Sequence, residues 1–354
     1  SGSIFVQIGD ENVHRVRALM DEVFGDENIV SQIGFQTTTG RAGSTLAGAL
    51  NYLLWYSKGE DVKYRELFDD KKEGKSTQSV YSIVRDETGR SRRLTQAERD
   101  NWDMIPEDLR VFRPDNLKSS RPAGPGDVQE FEYKGKTYNP GKGTFKTNRQ
   151  GLNRLSKANR LRPTRSHSIQ YVRYFDDFPI MPRSNVWTDT GTGSFTEDKV
   201  YVVQTGRKVV ERCLLMTTDP GDLVLDPTCG SGTTATVAEE WGRRWITIDT
   251  SRVALALARA RLMGARYPYY LLNDSPEGQK KIAEITRESA STADTHGSIR
   301  QGFVYKRAPH IMLSDIANNA EIDVIWEEYQ EQMEPLREAI NEKAGLDLER
   351  WEIH

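Results

Sequence analysis

Residues 222–241 read DLVLDPTCGSGTTATVAEEW, and this stretch decides the fold. An apolar run that ends at Asp226 is typical of a buried strand, and the loop after it contains Gly230 and Gly232. The residues from Thr233 onward predict a helix. Strand, glycine loop and helix in this order are the repeating unit of parallel α/β sheets. The loop therefore lies at the carboxyl end of its strand, where such sheets bind ligands.

A second predicted strand, WITID (245–249), ends at Asp249, which follows Gly230 by 19 residues. In this architecture an acidic residue at that point accepts hydrogen bonds from ribose hydroxyls. Backbone N–H groups of the loop and of the first helical turn are free to contact polar ligand atoms. The pattern therefore predicts a ligand that contains a ribose.

The chemistry of that ligand depends on Asp226 and Ala235. Ala235 stands where the dinucleotide fingerprint has its third glycine or an alanine, so NAD remains open. Asp226 precedes the loop directly, and its carboxylate repels a pyrophosphate but attracts an ammonium group. S-adenosylmethionine has a ribose and an ammonium and no phosphate, so the charges favour it. A tight turn without a ligand is the remaining alternative.

The 354 residues fall into four predicted segments that suggest about two domains. Residues 1–58 and 185–280 alternate strand and helix patterns. Residues 59–184 form a polar insert rich in Gly, Pro, Lys and Arg, and residues 281–354 form an extension with a long helix at 321–343. We predict an α/β fold: a Rossmann-like doubly wound sheet with a basic insert and a helical C-terminal extension.

The insert contains a basic block. Residues 142–174 include nine Lys/Arg and no Asp or Glu, although the whole chain has a net charge of -3. Such a block suits contacts with DNA phosphates, and a solvated surface is the alternative. The residues that we predict to contact DNA are Arg154, Arg160, Arg162 and Arg165.

Several classes of protein do not fit this composition. No run of about 18 apolar residues is present, so we predict no membrane span, and no signal peptide opens the chain. The two cysteines, Cys213 and Cys229, are far apart, which fits a reducing cytoplasm. The five histidines have no metal-ligand spacing, so we expect no metal.

The stretch DPTCGSGTT (226–234) resembles the cofactor loop of DNA amino-methyltransferases, and the resemblance extends back to Val200. The opening 30 residues resemble the modification subunits of type III restriction systems and related long site-specific methyltransferases. The resemblance implies methyl transfer from S-adenosylmethionine to adenine N6 in double-stranded DNA. The helix at 321–343 is a candidate surface for a restriction or helicase subunit or a second copy, with packing on its own domain as the alternative. The implied cofactor-binding residues are Gln204, Asp226, Pro227, Gly230, Ser231, Gly232, Thr233 and Asp249.

Two departures from this family concern the site. The family often has His-Pro-Thr-Gln-Lys-Pro before the loop, and YVVQTG (201–206) keeps only Gln204. The family's catalytic motif, Asp/Asn-Pro-Pro-aromatic, requires a Pro-Pro pair that this sequence lacks. We therefore assign no catalytic residue and expect a truncated fragment, with natural loss of the motif as the alternative. A DNA-binding module with a vestigial pocket and an RNA or small-molecule methyltransferase also stay open.

Three further residues are candidates for the pocket. Trp187 and Asp189 lie in NVWTDTG (185–191) and are candidates to line the cofactor pocket. The alternative is that Trp187 is a core residue beside a turn. Asp274 follows PYYLL (268–272), which we predict to be a third strand. Its carboxylate either reaches the cofactor adenine or is exposed in a turn.

Overall fold

The computed structural model describes residues 2–37, 46, 48–71, 80–125, 127–128, 130–191, 205–289, 291–350 and 352. Their contacts divide the chain into two units. The first unit comprises Ser1–Asp69 and Pro182–Arg307, and the second comprises Asp70–Met181 and Ala308–His354. The glycine loop therefore belongs to the first unit, and the basic block and the long C-terminal helix belong to the second.

The elements follow the sequence patterns closely where those patterns are strongly periodic. The helices of the described residues are α1 (Val13–Phe24), α2 (Gln96–Asp100), α3 (Arg149–Lys157), α4 (Arg207–Thr217), α5 (Thr233–Glu240), α6 (Arg252–Gly264), α7 (Pro276–Thr286), α8 (Leu313–Asn318) and α9 (Glu321–Ala344). The strands are β1 (Ser3–Gly9), β2 (Ile29–Gln36), β3 (Leu50–Ser57), β4 (Phe68–Asp70), β5 (Ile83–Arg85), β6 (Ser91–Arg93), β7 (Arg110–Asn116), β8 (Lys118–Ser119), β9 (Phe131–Tyr133), β10 (Lys136–Tyr138), β11 (Thr144–Phe145), β12 (Leu161–Pro163), β13 (Ile169–Tyr174), β14 (Ile180–Pro182), β15 (Val186–Trp187), β16 (Leu223–Asp226) and β17 (Arg244–Thr247). The helices predicted from Thr233 and at 321–343 are confirmed as α5 and α9.

A four-stranded sheet with the order β1-β3-β2-β15 forms one part of the first unit. Strand β3 is central and is buried on both faces. Successive side chains of a strand point to opposite faces, so neighbouring residues enter different core clusters. Leu53 and Trp55 pack in one core cluster with Trp187, while Leu54 and Tyr56 pack in another with Met20 of α1. β15 pairs with β2 in parallel, and the other pairs of this sheet are antiparallel.

The glycine loop belongs to a second sheet of the first unit, in which β16 and β17 pair in parallel. One face packs against α4 and α5 through Val224 and Trp245. The opposite face carries Leu223, Leu225, Ile246 and Ile248, which are between 49% and 60% exposed. Within the described residues the strands of the predicted doubly wound sheet are thus distributed over two separate sheets.

The predicted third strand at 268–272 is wrong for the described residues. This segment makes only one isolated antiparallel bridge, between Leu272 and Phe303. One of its two tyrosines packs against other rings: Tyr270 stacks on Trp241 with ring centroids 5.5 Å apart and contacts Phe303 at 5.3 Å, whereas Tyr269 is exposed. The apolar run PYYLL therefore contributes to an aromatic cluster. The sequence alone cannot distinguish such a cluster from a strand, because both use the same residue types.

The second unit is built around a five-stranded antiparallel sheet with the order β12-β13-β7-β5-β6. Its largest core cluster includes Leu152 and Leu155 of α3, both fully buried. Ile316 and Ala317 of α8 belong to the same cluster. Residues of the C-terminal extension therefore complete the core of the insert, and the two segments fold as one unit.

Candidate functional site

Two adjacent parallel strands bring the two predicted ligand carboxylates to one edge of the β16–β17 sheet. Asp226 is the last residue of β16 and is paired in register with Thr247 of β17. Two backbone hydrogen bonds continue the ladder beyond the strand ends: Ile248 N donates to Asp226 O, and Cys229 N donates to Ile248 O, both at 2.9 Å. Asp249 therefore follows β17 at the same carboxyl edge, beside the glycine loop.

The Asp249 carboxylate connects the end of β17 to the glycine loop. Its Oδ2 accepts a hydrogen bond from the backbone N–H of Gly230 at 2.8 Å, and its Oδ1 accepts one from Ser251 N at 2.8 Å. The hydrogen bonds from Ser251 and Gly230 lower the pKa of Asp249 below its usual value, so the group is ionised. Each oxygen has further lone-pair capacity for a ligand hydroxyl.

The two loop glycines are required for different physical reasons. Gly232 has φ +77°, and a Cβ built there would lie 2.8 Å from the Cβ of Ala258 on α6. Gly230 has φ +53°, but the nearest atom to its Cβ position, Thr228 O, is 4.0 Å away. Gly232 thus permits close packing of α6, whereas Gly230 leaves open space in which a ligand can approach the backbone.

The Asp226 carboxylate is half-buried and shapes the first turn of the loop. Its Oδ1 accepts hydrogen bonds from Thr228 N at 2.9 Å and from Thr228 Oγ1 at 3.3 Å. Within the described part of the chain Oδ2 has no hydrogen-bond partner. This oxygen can therefore accept hydrogen bonds from an ammonium group. Pro227 is exposed in the same turn.

Ser231 and Thr233 are both buried, with relative exposures of 4% and 7%. The Thr233 hydroxyl accepts a hydrogen bond from Arg261 Nη1 at 3.1 Å. Arg261 was missed by sequence reasoning, although α6 contains the signal. Ala254, Ala258 and Arg261 recur at helical spacing and therefore lie on the face that packs against the loop.

The start of α5 is open to a ligand. Its N-cap residue is Gly232, and among the described residues no side chain caps the first turn. The first backbone N–H groups of the helix are therefore available to polar atoms. An acceptor oxygen on Asp226, lone pairs on Asp249 and open space at Gly230 fit a ligand with an ammonium and a ribose. Gln204 lies outside the described residues.

Trp187 belongs to the core of the first unit, whereas Asp189 is exposed and makes ion pairs. Trp187 is 1% exposed and packs with Ile33 and Val209. Asp189 pairs with Arg212 and, at 3.2 Å, with Arg183. Burial raises the pKa of Asp189, but the hydrogen bond and charge of Arg212 outweigh it and lower this pKa to about 2. The core alternative for Trp187 is confirmed.

Asp274 is 3% exposed, so the expectation of an exposed turn carboxylate is wrong. Its two oxygens accept hydrogen bonds from the backbone N–H groups of Ser298, at 2.8 Å, and His296, at 3.1 Å. These bonds lower the pKa of Asp274, with the Ser298 bond the larger cause. The side chain holds the loop at 296–298 in place.

Two of the four arginines predicted to contact DNA make ion pairs within the second unit. Arg160 Nη1 donates to Asp177 Oδ2 at 2.6 Å, and the two side chains are 9% and 0% exposed. Arg154 Nε donates to Asp323 Oδ2 of α9 at 2.8 Å. The positive charges of both residues are thus matched by acids from other segments of the chain.

Arg165 is the more accessible of the other two predicted arginines. Arg162 lies on β12 with its guanidinium 5.9 Å from the Phe112 ring centroid. Burial, and then the charges of Arg85 and Arg93, lower the pKa of Arg162. Arg165 is exposed in the turn between β12 and β13. The structure therefore places the four arginines in different surroundings, and their contacts with DNA stay a prediction.

Comparison with known proteins decides the family. The DNA methylase family N6_N4_Mtase matches residues 1–260. The chain belongs to this DNA methylase family. Family membership agrees with the α/β methyltransferase fold expected from the glycine loop, and the cofactor loop at 226–234 and both carboxylates lie within the matched residues.

Curated relatives extend the match. The type II methyltransferase M.EcaI of Enterobacter cloacae is 25% identical over 286 residues, which cover 75% of this chain and 54% of that protein. The type II methyltransferase M2.DpnII of Streptococcus pneumoniae is 38% identical over 100 residues, or 26% of this chain and 37% of that protein. The chain therefore spans about half the length, or less, of these two relatives. A solved M1.HpyAVI–SAM complex has a TM-score of 0.34, 13% identity and 74% coverage of each chain.

Proposed function

We propose that this chain is the cofactor-binding and DNA-contacting part of an S-adenosylmethionine-dependent DNA amino-methyltransferase. The observation that carries the proposal is the pair of carboxylates, Asp226 and Asp249, on either side of a glycine loop at one sheet edge. Membership of the DNA methylase family supports it.

Each group of the loop has a role that follows from its chemistry. Asp226 holds the ammonium group through its oxygen that is not bonded to Thr228. Asp249 accepts the ribose hydroxyls while its hydrogen bond to Gly230 keeps the loop in position. When bound, S-adenosylmethionine supplies a methyl group on a sulfonium. The residues of this chain bind and orient that group for attack by an amine.

The proposed substrate is the exocyclic amine of adenine N6 in double-stranded DNA. The choice of adenine N6 over cytosine N4 rests on family resemblance alone. The target base must be extruded from the duplex before an amine can reach the cofactor. The sequence contains no Pro-Pro pair, so we propose that the catalytic motif lies outside this chain. The two distant cysteines fit a reducing cytoplasm, which is the proposed location of the enzyme.

Calorimetric titration of the chain with S-adenosylmethionine, with NAD as the control ligand, tests the cofactor. We expect binding of S-adenosylmethionine alone, and binding of NAD alone would overturn the proposal. A duplex-DNA binding assay on the same preparation separates the alternatives. Cofactor binding without DNA binding would favour an RNA or small-molecule methyltransferase. DNA binding without cofactor binding would favour a DNA-binding module with a vestigial pocket.

The expected partners beyond DNA are a restriction or helicase subunit, or a second copy of the chain. The N6 assignment is tested by methyl transfer in a protein that also contains the family's Pro-Pro motif. Digestion of the methylated duplex to nucleosides then shows which base carries the label. We expect N6-methyladenine, and N4-methylcytosine would overturn the choice of base.

A further inference from the structure

Charge is strongly segregated between the two chain segments that form the second unit. Residues 70–181 contain 23 Lys/Arg and 15 Asp/Glu, whereas residues 308–354 contain three Lys/Arg and 12 Asp/Glu. The two segments therefore attract each other, and a polyanion would compete with the acidic segment for the basic one.

The ion pairs between the acidic segment and α3 involve one carboxylate of α9. Asp323, in the first turn of α9, accepts hydrogen bonds from Arg154 Nε at 2.8 Å and from Lys157 Nζ at 2.7 Å. Those bonds lower the pKa of Asp323, with the Lys157 bond the larger cause, so the carboxylate is charged. Arg149, on the same helix, is exposed, and its Nη2 donates to the carbonyl oxygen of Glu130.

Helix α9 is much less firmly anchored than α8. Ile316 and Ala317 of α8 are buried in the core, whereas no residue of α9 is fully buried. Ile322 packs against the core, and beyond it Val324, Ile325 and Tyr329 are more than half exposed. The position of the first turn of α9 therefore depends on Ile322 and on the ion pairs of Asp323.

We propose that Arg149, Arg154 and Lys157 form a DNA-phosphate-binding surface on α3. When DNA is absent, Asp323 of α9 forms ion pairs with two of these cations, Arg154 and Lys157. This inference rests on the proposed function, since it names the DNA surface of the same protein. Arg154 Nη1 also donates to Ala317 O at 3.1 Å. That bond keeps the guanidinium in place when Asp323 is displaced by a phosphate.

The salt dependence of DNA binding distinguishes this surface from a purely structural ion pair. Each phosphate contact adds about 0.9 to the slope of log Kobs against log salt concentration, or roughly a 3.5-fold loss between 50 and 200 mM salt. If Asp323 competes with DNA, removing its charge frees Arg154 and Lys157. If the ion pairs only stabilise the fold, the slope does not change.

The experiment measures binding of a 20-base-pair duplex by wild type, Asp323→Asn and Glu328→Gln over a series of salt concentrations. Glu328→Gln is the matched control, because Glu328 is exposed on the same helix and makes no ion pair within the described residues. We expect Asp323→Asn to bind more tightly at low salt, with a slope steeper by about 0.9–1.8. Glu328→Gln should keep the wild-type slope.

Combining Asp323→Asn with Arg154→Gln and Lys157→Gln should return the slope to that of wild type or below. Equal slopes for wild type and Asp323→Asn, or equal increases in Asp323→Asn and Glu328→Gln, would overturn the proposed surface. Lack of DNA binding by every variant would instead reject DNA as the partner, and this inference with it. S-adenosylmethionine titration of each variant, with its melting temperature, shows that the chain is folded.

Discussion

The carboxylate of Asp249 accepts a hydrogen bond at 2.8 Å from the backbone N–H of Gly230, 19 residues earlier in the chain. One side chain at the end of β17 thereby holds the loop that follows β16. We propose a second role for Asp249, because the oxygens that hold the loop keep lone pairs for a ribose hydroxyl. A substitution at this position should therefore change the loop and, on this proposal, the ligand contacts.

We predict that Asp249→Ala lowers S-adenosylmethionine affinity tenfold or more, since hydrogen bonds to a charged group contribute about 1.5–3 kcal/mol each. Asp249→Asn should lose less, because its amide oxygen can still accept one of the hydrogen bonds. Calorimetric titration measures the affinities, and thermal melting reports the cost to the loop. Unchanged affinity in Asp249→Ala would show that the ribose binds elsewhere.

The two glycines of the loop should respond differently to alanine. Gly232→Ala should destabilise the first unit, because its Cβ would lie 2.8 Å from Ala258 Cβ and 3.1 Å from Ala258 Cα. Gly230→Ala has open space and should cost only about 1–2 kcal/mol for its left-handed backbone. It should nevertheless reduce cofactor affinity, because the methyl group occupies the space left for the ligand.

A second variant separates the steric and backbone effects at Gly232. Ala258→Gly removes the Cβ that the new methyl group would meet, so the double variant should recover part of the stability lost in Gly232→Ala. Melting temperatures of the single and double variants provide the comparison. No recovery would mean that the cost arises from the left-handed conformation at position 232 and from the nearby backbone of α6.

Substitution of Arg160 should lower the stability of the protein, whereas substitution of Arg165 should weaken DNA binding. Arg160→Met leaves the fully buried Asp177 without its ionic partner, and breaking such a pair costs about 3–5 kcal/mol. Arg165→Gln should change stability by no more than about 0.5 kcal/mol, because Arg165 is exposed. We expect Arg165→Gln, in contrast, to weaken DNA binding at low salt. Chemical unfolding and duplex binding measure the two effects, and normal stability of Arg160→Met would contradict this assignment.

Asp189 should make stability depend on acid pH. Its pKa is lowered from 3.8 to about 2 in the folded protein by Arg212, which outweighs the effect of burial. The stabilisation is therefore fully present above about pH 4 and is lost as the pH falls through about 2. Asp189→Asn should be less stable than wild type at pH 6, and the difference should shrink between pH 4 and pH 2. Urea unfolding at several pH values measures it, and a constant difference would rule out this ionisation.

The sequence determined the local parts of the site because they are encoded by neighbouring residues. Twenty contiguous residues specify strand, loop and helix, and the lack of a side chain at Gly230 and Gly232 permits the left-handed conformation that both adopt. The sequence of 321–343 was also sufficient to predict helix α9. The apolar run at 268–272 was not, since aromatic packing and strand pairing use the same residue types.

Only the tertiary structure decided which charges are paired. Arg154 and Arg165 look alike in a basic block, yet Arg154 is matched by an acid 169 residues away and Arg165 is exposed. Arg160 likewise forms an ion pair with Asp177. Arg261 donates a hydrogen bond to the hydroxyl of Thr233. The free energy of a charged side chain depends on its solvation and its partner. Both are set by chain segments that meet only in the folded protein.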